Sequence, residues 1–410
     1  MRAMQLNFPD VICVVYTGFD VTPEKMVENV QTRFGLHIKW PNLRFEKLEK
    51  THLVVHSNYP RFTLLRQSIG SIFLAQEALS RFVPDIFIDT VGYSFALAFV
   101  SSVCKIPTVA YVHYPTLSAD MYNQKHIGLL QRLYWRAFGV LYKLSSLRID
   151  RVYANSTWTR DHIKDMWGSS VSSRMKILYP PCHISPLMKI DIEQPRDRVI
   201  LYISQFRKEK GHLNLLDAFH IFHNRVTTTE NDNAHLSDVK LVLLGSTRGE
   251  EDRNYVEEIR RKAESLNLNG KVDLVVDVEW SVVKEWLSRA WVGANAMWNE
   301  HFGIGIVEYM ASGVIPVVHK SGGPYLDIVQ PVNNKPTGFH ATTPAEFADK
   351  FEEVFRASFE DTNAMRSRAR ESSQRFKEET FIIEWVHDMD RLLVLEDKMR
   401  LERISRTQRA

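Results

Sequence analysis

The stretch from Trp298 to Pro324 constrains the fold more than any other part of the sequence, because it places two glycine-rich turns around one apolar helix. Its apolar positions Ile304, Val307 and Met310 recur at the spacing of a helical face. Gly313 then follows as a stop signal. The pattern predicts a helix that begins near Phe302 and ends at Gly313.

A short apolar segment follows this helix. Residues Ile315–Val318 are nearly all apolar, which is typical of a strand buried on both faces of a parallel sheet. The second glycine turn, Ser321–Pro324, comes directly after it. The sequence therefore predicts a turn, a helix, a buried strand and another turn.

The start of the predicted helix has the chemistry of a phosphate site. A helix that begins at glycines leaves backbone N–H groups and the positive end of its dipole exposed, and the residues at this position are Phe302, Gly303 and Ile304. Glu300 precedes the helix and Glu308 lies more than one turn inside it. The two carboxylates can accept hydrogen bonds from hydroxyls at the two ends of a ligand, so a nucleotide-sugar fits this layout.

The spacing of Glu300 and Glu308, together with the glycines and the buried strand, resembles the family 4 retaining glycosyltransferases. The resemblance implies an α/β fold of the GT-B type. In that fold two Rossmann-like domains with parallel sheets face each other, and a C-terminal helix crosses back to the first domain. It also implies that Glu300 contacts the donor hexose and Glu308 the ribose. An ordinary helix with two solvated glutamates is the alternative interpretation.

Alternating strands and helices from Val199 onwards predict a parallel sheet with helices on both faces. At 410 residues the chain is long for a single core, so two domains are expected. We expect an N-terminal domain at 1–184, a linker at 185–198 and a GDP-sugar-binding domain at 199–376. A C-terminal helix at 377–400 and a basic tail at 401–410 are expected to follow. In the resembling family a strand, a glycine-rich loop and any membrane anchor precede Met1, and we expect this chain to lack them.

Composition excludes some classes of function. The net charge of +3 is too small to indicate a nucleic-acid partner. The three cysteines are far apart and in no metal-ligand spacing, which predicts free thiols in a reducing compartment. No apolar run reaches the ~20 residues that a membrane-spanning helix needs. Any membrane association is therefore expected to be peripheral or to depend on sequence that this chain does not contain.

The predicted strand Thr108–Val112 delivers His113 to the edge of a sheet where doubly wound folds bind ligands. A lone histidine is more often structural, but the resemblance places His113 near the transferred sugar. The string Tyr111–Asp120 resembles the branch of the family that adds α-1,2-linked mannose, as the fourth and fifth mannoses, to a dolichol-diphosphate-linked oligosaccharide. For that branch the donor is GDP-mannose, and the location is the cytosolic face of the endoplasmic reticulum membrane. Other mannosyltransferases of the pathway are further candidate partners.

The loop after the strand at Val199–Ser204 is basic. In the resembling family this loop carries a glycine-arginine pair and a lysine that neutralise the donor diphosphate. Lys210 matches the lysine, whereas Ser204 and Gln205 replace the pair. We expect Arg207 to supply the missing charge, and a solvated basic loop is the alternative.

No acidic residue occurs between Asp120 and Asp150. Basic residues form one stripe of a predicted helix, apolar residues form a second, and aromatic residues lie between them. The basic stripe consists of Lys125, Arg132, Arg136 and Lys143. This pattern predicts either a helix lying on anionic lipid headgroups or a core-packed helix with a solvated basic edge.

The sequence therefore predicts a retaining α-1,2-mannosyltransferase with His113 and Glu300 at the sugar. Arg207, Lys210 and the N–H groups around Phe302 to Ile304 would hold the diphosphate. No clustered metal ligands are evident, so no metal or cofactor beyond the donor is expected. The alternatives are a family 4 transferase with another donor or acceptor, a catalytically silent truncated form that acts as a binding module, and, more remotely, a nucleotide-sugar epimerase.

Overall fold

The computed structural model describes residues 1–20, 22–34, 42–114, 128–228 and 236–408. The chain divides into two compact units. The N-terminal unit is Met1–Tyr179 together with Phe381–Ala410, and the C-terminal unit is Pro180–Thr380. The three cysteines are unpaired, as predicted.

The described residues of the N-terminal unit form two parallel sheets. A two-stranded sheet pairs β1 with β2, and a four-stranded sheet has the order β3-β4-β5-β6. These strands are β1 Cys13–Thr17, β2 Leu43–Lys47, β3 Phe87–Asp89, β4 Thr108–Val112, β5 Arg151–Ala154 and β6 Met175–Ile177. The described helices of this unit are α1 Arg2–Asn7, α2 Pro23–Phe34, α3 Thr63–Arg81, α4 Ser94–Cys104, α5 Leu129–Ser146 and α6 Thr157–Trp167, with the last helix of the chain added below.

All five residues of β4 are buried, as the apolar sequence predicts for a central parallel strand. One face of this sheet packs against aromatic residues of α5 and α6, including Phe138, Tyr142 and Trp167. The other face packs against Trp385 and Met389. The core thus fixes the carboxyl end of β4, where His113 follows.

In the C-terminal unit the described strands form a six-stranded parallel sheet of order β12-β11-β10-β7-β8-β9. Its strands are β7 Asp197–Ile203, β8 Lys240–Gly245, β9 Val272–Val276, β10 Ala290–Asn295, β11 Ile315–His319 and β12 Phe339–Ala341. Its helices are α7 His212–Thr228, α8 Glu250–Ser265, α9 Trp280–Arg289, α10 Ile304–Ser312, α11 Pro344–Arg356 and α12 Phe359–Ser373. The strand order reverses between β7 and β10, and ligands of open parallel sheets bind in the crevice at such a reversal.

The predicted linker at 185–198 is part of the C-terminal unit, which begins at Pro180. Leu187 is buried there, and the buried Arg196 guanidinium donates to the backbone carbonyls of Leu287, Ala290 and Ser312. These bonds attach the segment to the C-terminal unit. The prediction of a linker rested on its prolines and mixed charge, which give no sign of these bonds.

The last helix, α13, spans Glu378–Thr407, so most of the predicted basic tail is helical. The reason is a buried carboxylate: Glu396 pairs with Arg400 and Arg403. Arg403 also donates to the backbone carbonyl of Lys105, at 2.6 Å. From Phe381 onwards this helix belongs to the N-terminal unit. Of the helices in the described ranges, none has the length and apolar character needed to cross a bilayer.

Candidate active site

Two loops meet at the reversal point of the C-terminal sheet. One follows β7 and runs from Ser204 to Gly211, and the other follows β10 and runs from Ala296 to Gly303. Gly211 has φ +73°, and a Cβ atom there would lie 2.7 Å from the backbone oxygen of Ala296. Only glycine allows the two loops to approach this closely.

The loop after β7 is held from beneath by buried polar groups. The Tyr202 hydroxyl donates to the backbone carbonyl of Lys210 at 2.6 Å. The Ser204 hydroxyl and His212 Nε2 are hydrogen-bonded at 3.0 Å, and burial lowers the pKa of His212 to about 3. His212 is therefore a neutral structural residue at physiological pH. The sequence analysis did not single out Tyr202 or His212, because buried polar anchors leave no local pattern.

Lys210 and Glu300 form an ion pair across the two loops. Lys210 Nζ lies 2.8 Å from Glu300 Oε2 and 3.1 Å from the sulfur of Met297. The two charged side chains are only 20% and 16% exposed, so solvent screens the pair weakly. Two residues predicted for different parts of the donor are thus in direct contact, and Lys210 fixes the orientation of the Glu300 carboxylate.

The second glycine turn supports the backbone of Glu300. Gly323 N donates to the Glu300 carbonyl at 2.8 Å, and Asn299 N donates to Ser321 Oγ at 2.8 Å. Gly322 has φ +63°, and a Cβ atom there would lie 2.2 Å from the Glu300 carbonyl oxygen. The two glycine-rich turns predicted from the sequence therefore pack backbone against backbone.

Helix α10 begins at Ile304, directly after Gly303, which has φ +112° and provides no side-chain cap. The first N–H groups of a helix have no acceptor within the helix, so the donors at the start of α10 are oriented to bind an anion. Phe302 is buried, and its ring packs edge-on against Phe376. Phe302 thereby anchors the start of the helix.

Glu308 lies in the second turn of the same helix. Gly305 lies beside the carboxylate, since a Cβ atom at that glycine would lie 4.0 Å from Glu308 Oε2. Burial raises the pKa of Glu308 to about 7. The neighbouring Tyr309 hydroxyl accepts a hydrogen bond from Ile203 N at 2.7 Å, which ties α10 to the end of β7.

Arg207 lies on the other side of its loop. Its guanidinium is 3.8 Å from Asp252 and 3.9 Å from Glu209. Among the described residues, no ion pair or hydrogen bond joins this guanidinium to Lys210 or Glu300. The structure therefore pairs Lys210 with Glu300 before the start of α10, places Glu308 farther along that helix, and directs Arg207 towards α8.

In the N-terminal unit, His113 follows β4 and is exposed. Its backbone carbonyl accepts a hydrogen bond from Asn155 Nδ2 at 3.1 Å. Asp89, at the end of β3, accepts hydrogen bonds from the N–H groups of Val91, Gly92 and Tyr93. Partial burial lowers the pKa of His113, and the Asp89 carboxylate opposes that change. Asp89 is a site candidate that the sequence analysis missed.

The predicted basic stripe lies on α5, where Arg132, Arg136 and Lys143 are exposed. Lys125 and the part of the diagnostic string from Pro115 to Asp120 fall outside the described residues. Within the described part of the chain, no group of three or more His, Cys, Asp or Glu side chains is arranged to hold a metal ion.

Residues 1–167 match the family described as ALG11 mannosyltransferase N-terminus, and residues 187–372 match Glycosyl transferases group 1. The chain is similar to the GDP-Man:Man(3)GlcNAc(2)-PP-Dol alpha-1,2-mannosyltransferase of Neurospora crassa, at 40% identity over 96% of this chain and 76% of the relative. It is similar to the Homo sapiens protein of the same name, at 35% identity over 96% of this chain and 82% of the relative.

Two solved structures show the fold. Anabaena Alr3699/HepE in complex with UDP and glucose is 18% identical, with a TM-score of 0.62 over 92% of this chain and 91% of that chain. The alpha,alpha-trehalose 6-phosphate synthase from Burkholderia multivorans is 11% identical, with a TM-score of 0.69 over 94% of this chain and 99% of that chain. The α/β GT-B class predicted from the sequence is confirmed.

Proposed function

The chain belongs to the family of GDP-Man:Man(3)GlcNAc(2)-PP-Dol alpha-1,2-mannosyltransferases, and on that premise we propose that it transfers mannose from GDP-mannose to an oligosaccharide carried on dolichol diphosphate. It adds the fourth and fifth mannoses in α-1,2 linkage and retains the configuration at the anomeric carbon. The site of action is the cytosolic face of the endoplasmic reticulum membrane, where other mannosyltransferases of the pathway are candidate partners.

The observation that carries this proposal is the Lys210–Glu300 pair beside the uncapped start of α10. A carboxylate held in one orientation accepts hydrogen bonds from sugar hydroxyls, and the adjacent ammonium and helix N–H groups attract a diphosphate. One ligand with both groups, a sugar diphosphate, satisfies the whole arrangement. Glu308 lies farther along α10 and accepts from the ribose hydroxyls.

The chemical step breaks the bond between mannose C1 and the diphosphate oxygen. The acceptor hydroxyl oxygen bonds to C1 on the same face, and its proton passes to the departing diphosphate. Lys210 and the backbone around Phe302, Gly303 and Ile304 stabilise the negative charge that grows on the leaving group, and such oriented donors are worth ~3 kcal/mol each. Arg207 contributes if its guanidinium turns from Asp252 to the diphosphate, and His113 lines the sugar. The step uses no metal or cofactor beyond the donor.

The test is transfer of labelled mannose to a trimannosyl lipid-linked acceptor, with GDP-mannose compared with UDP-glucose as donor. We expect transfer from GDP-mannose alone and a loss of roughly 10²–10³-fold in rate for Glu300→Ala. Glu264→Ala, on the exposed side of α8, is the matched control and should match the wild type.

Three other outcomes would contradict the proposal. Comparable transfer from UDP-glucose would indicate a family 4 transferase with another donor. Binding of GDP-mannose without any transfer would favour the binding-module alternative. Turnover of GDP-mannose to another nucleotide-sugar without acceptor would indicate an epimerase.

A further inference from the structure

Three arginines are grouped near the C-terminal end of α10. Arg196 donates a hydrogen bond to the backbone carbonyl of Ser312, and Arg370 donates to that of Ala311, so both bind acceptors in the last turn of the helix. Arg366 lies one turn before Arg370 on α12, on the same side of that helix. Burial, and then the positive charges of Arg366 and Arg370, lower the pKa of Arg196 to about 9. The three cations therefore act on one another.

Two of these guanidiniums are withdrawn from solvent. Arg366 is 1% exposed and Arg196 is 7% exposed. Burial lowers the pKa of Arg366 to about 10, so Arg366 and Arg196 both carry a charge near neutral pH. Arginine is rarely buried to this degree unless it is paired with a group of opposite charge. The two side chains therefore need a source of negative charge.

Some N–H groups of the two buried guanidiniums have no acceptor among the described residues. Arg366 donates through Nη1 to Asn363 Oδ1 at 3.2 Å, whereas its Nε and Nη2 atoms have no hydrogen-bond partner there. Arg196 uses both Nη atoms for backbone carbonyls, and its Nε atom is left without one. The indole N–H of Trp291 also lacks an acceptor, and its ring centre is 4.9 Å from the guanidinium carbon of Arg366. Buried donors are almost always satisfied, so an acceptor is expected here.

The positive charge of the group is not balanced by a carboxylate. In the part of the chain that the structure describes, no ion pair joins Arg196, Arg366 or Arg370 to an acidic side chain. Asp191 opposes the fall in the pKa of Arg196 and Arg370, but it is exposed and solvent screens it. The end of α10 supplies only about half of one negative charge against three positive charges. A water molecule would accept the free N–H groups but would leave the charge unbalanced.

We propose that Arg196 and Arg366 bind a small inorganic anion, of the size of chloride, near the C-terminal end of α10. A single anion supplies both the missing acceptor and the missing negative charge. The burial of both guanidiniums favours a monatomic anion over a phosphate. The donor site lies at the other end of this nine-residue helix, so the inference does not depend on which sugar is transferred.

The test is thermal unfolding of the full chain, with sodium chloride replaced stepwise by sodium gluconate, whose anion is too large for an enclosed site. Chloride is varied from about 1 mM to about 300 mM at one ionic strength, so that the screening of surface charges stays constant. A ligand that binds only the folded chain stabilises it with the logarithm of its concentration above Kd. In that range we expect the wild-type Tm to rise by about 3–5 °C for each tenfold increase in chloride.

Two variants separate this site from a general effect of salt. Arg366→Met removes the charge and the free N–H groups but keeps a long side chain beside Trp291, and its Tm should not change with chloride. Arg261→Met removes an exposed cation of α8 and should keep the chloride dependence of the wild type. Circular dichroism should show that both variants are folded.

A crystal of the wild type soaked in bromide locates the anion without any variant. Bromide is a close chemical substitute for chloride, and its anomalous signal distinguishes it from water. We expect a bromide peak in contact with the free N–H groups of Arg366 and Arg196. This measurement decides the question even if Arg366→Met does not fold.

Three results would overturn the proposal. The wild-type Tm would be the same at every chloride concentration, or Arg366→Met would respond to chloride as strongly as the wild type. In the crystal, a water molecule at these N–H groups and no bromide would show that the arginines serve only to hold the end of α10.

Discussion

Glu308 carries its charge at a cost in the C-terminal unit. Burial raises its pKa from 4.5 to about 7, so the protonated carboxyl is a major form near neutral pH. Hydroxyl groups that donate to the ionised form would reverse this shift. Ionised Glu308 therefore destabilises the fold, and the ribose hydroxyls that we propose as its partners would offset that cost.

The first prediction concerns this carboxyl. Below about pH 4.5 it is protonated in both the folded and the unfolded chain, so burial costs nothing; above about pH 7 the folded chain must bury the charge. The unfolding free energy of the wild type, relative to Glu308→Gln, should therefore fall by about 3 kcal/mol between pH 4.5 and 7.5. Urea unfolding at both pH values measures this difference.

Equal pH dependence in the two proteins would contradict the prediction. Binding of GDP provides an independent check, because ribose hydroxyls should expel the proton. Calorimetry at pH 7 in buffers of different ionisation enthalpy should show more proton release for the wild type than for Glu308→Gln.

At the residue scale, the sequence predicted the candidate residues of the site better than the contacts that these residues make with one another. Glu300 and the glycines were selected by type and spacing, and Lys210 by the resemblance to the family; the structure brings Lys210 and Glu300 into contact. The direct pairing of Lys210 with Glu300 was not foreseen, because it depends on the separation of two loops that are far apart in the chain. Arg207 was chosen to replace a missing charge, but its position beside Asp252 depends on how its loop packs against α8, which no local pattern indicates.

At the scale of elements, the two glycine turns control where Glu300 lies. Gly322 and Gly270 both have positive φ values, +63° and +74°. They differ in their surroundings, since a Cβ atom at Gly322 would collide with the Glu300 carbonyl, whereas one at Gly270 would meet nothing within 4 Å. Alanine at Gly270 therefore adds only backbone strain, whereas alanine at Gly322 adds both backbone strain and a clash.

The second prediction uses that difference. Gly270→Ala should lower the unfolding free energy by about 1 kcal/mol, the cost of left-handed backbone, without changing transfer. Gly322→Ala should lower it by about 3 kcal/mol and reduce transfer at least roughly tenfold, because the backbone of Glu300 must move. Urea unfolding and mannose transfer measure the two effects. Equal behaviour of the variants would show that the turn does not position Glu300.

The order of the strands and helices in the C-terminal unit was predictable because the apolar runs and glycines alternate clearly. Ends of elements were harder to predict. The last helix continues to Thr407 because Glu396, Arg400 and Arg403 pair within it, and Arg403 reaches Lys105. In the sequence these charges resemble those of a solvated tail, and only the burial of Glu396 distinguishes the two cases.

At the scale of the whole molecule, the end of the chain belongs to the N-terminal unit, although it follows the C-terminal unit in sequence. Helix α13 is attached to the N-terminal unit by Asp388, whose buried carboxylate accepts a hydrogen bond from the Tyr153 hydroxyl at 3.1 Å. Arg151 and Lys176 lie 3.9 and 3.4 Å from the same carboxylate. This network links the C-terminal helix to β5 and β6.

The third prediction tests that network. Asp388→Ala leaves Arg151 and Lys176 without their buried partner, and it should lower the unfolding free energy of the N-terminal unit by about 3 kcal/mol. Asp390→Ala, two residues away on the exposed side of the helix, should change it by less than about 0.5 kcal/mol. Urea unfolding of both variants measures the difference. Similar stability of the two would mean that apolar packing alone attaches the helix.

The two-domain fold was predictable from chain length and alternating pattern. The boundary near Tyr179 was not, because Pro180 to Arg198 has the composition of a linker although Arg196 attaches it to the sheet. The composition of a segment reports its polarity, whereas its membership of a unit depends on a few long-range hydrogen bonds.

The central claim is that Glu300 holds the sugar and Glu308 the ribose of one GDP-mannose molecule. The most direct measurement is calorimetric affinity for GDP and for GDP-mannose in the wild type, Glu300→Gln and Glu308→Gln. Glu308→Gln should weaken both ligands equally, by roughly tenfold, because both contain the ribose. Glu300→Gln should weaken the binding of GDP-mannose and leave the binding of GDP unchanged. If Glu300→Gln weakens GDP as much as GDP-mannose, or Glu308→Gln affects neither ligand, the assignment of the two carboxylates is wrong.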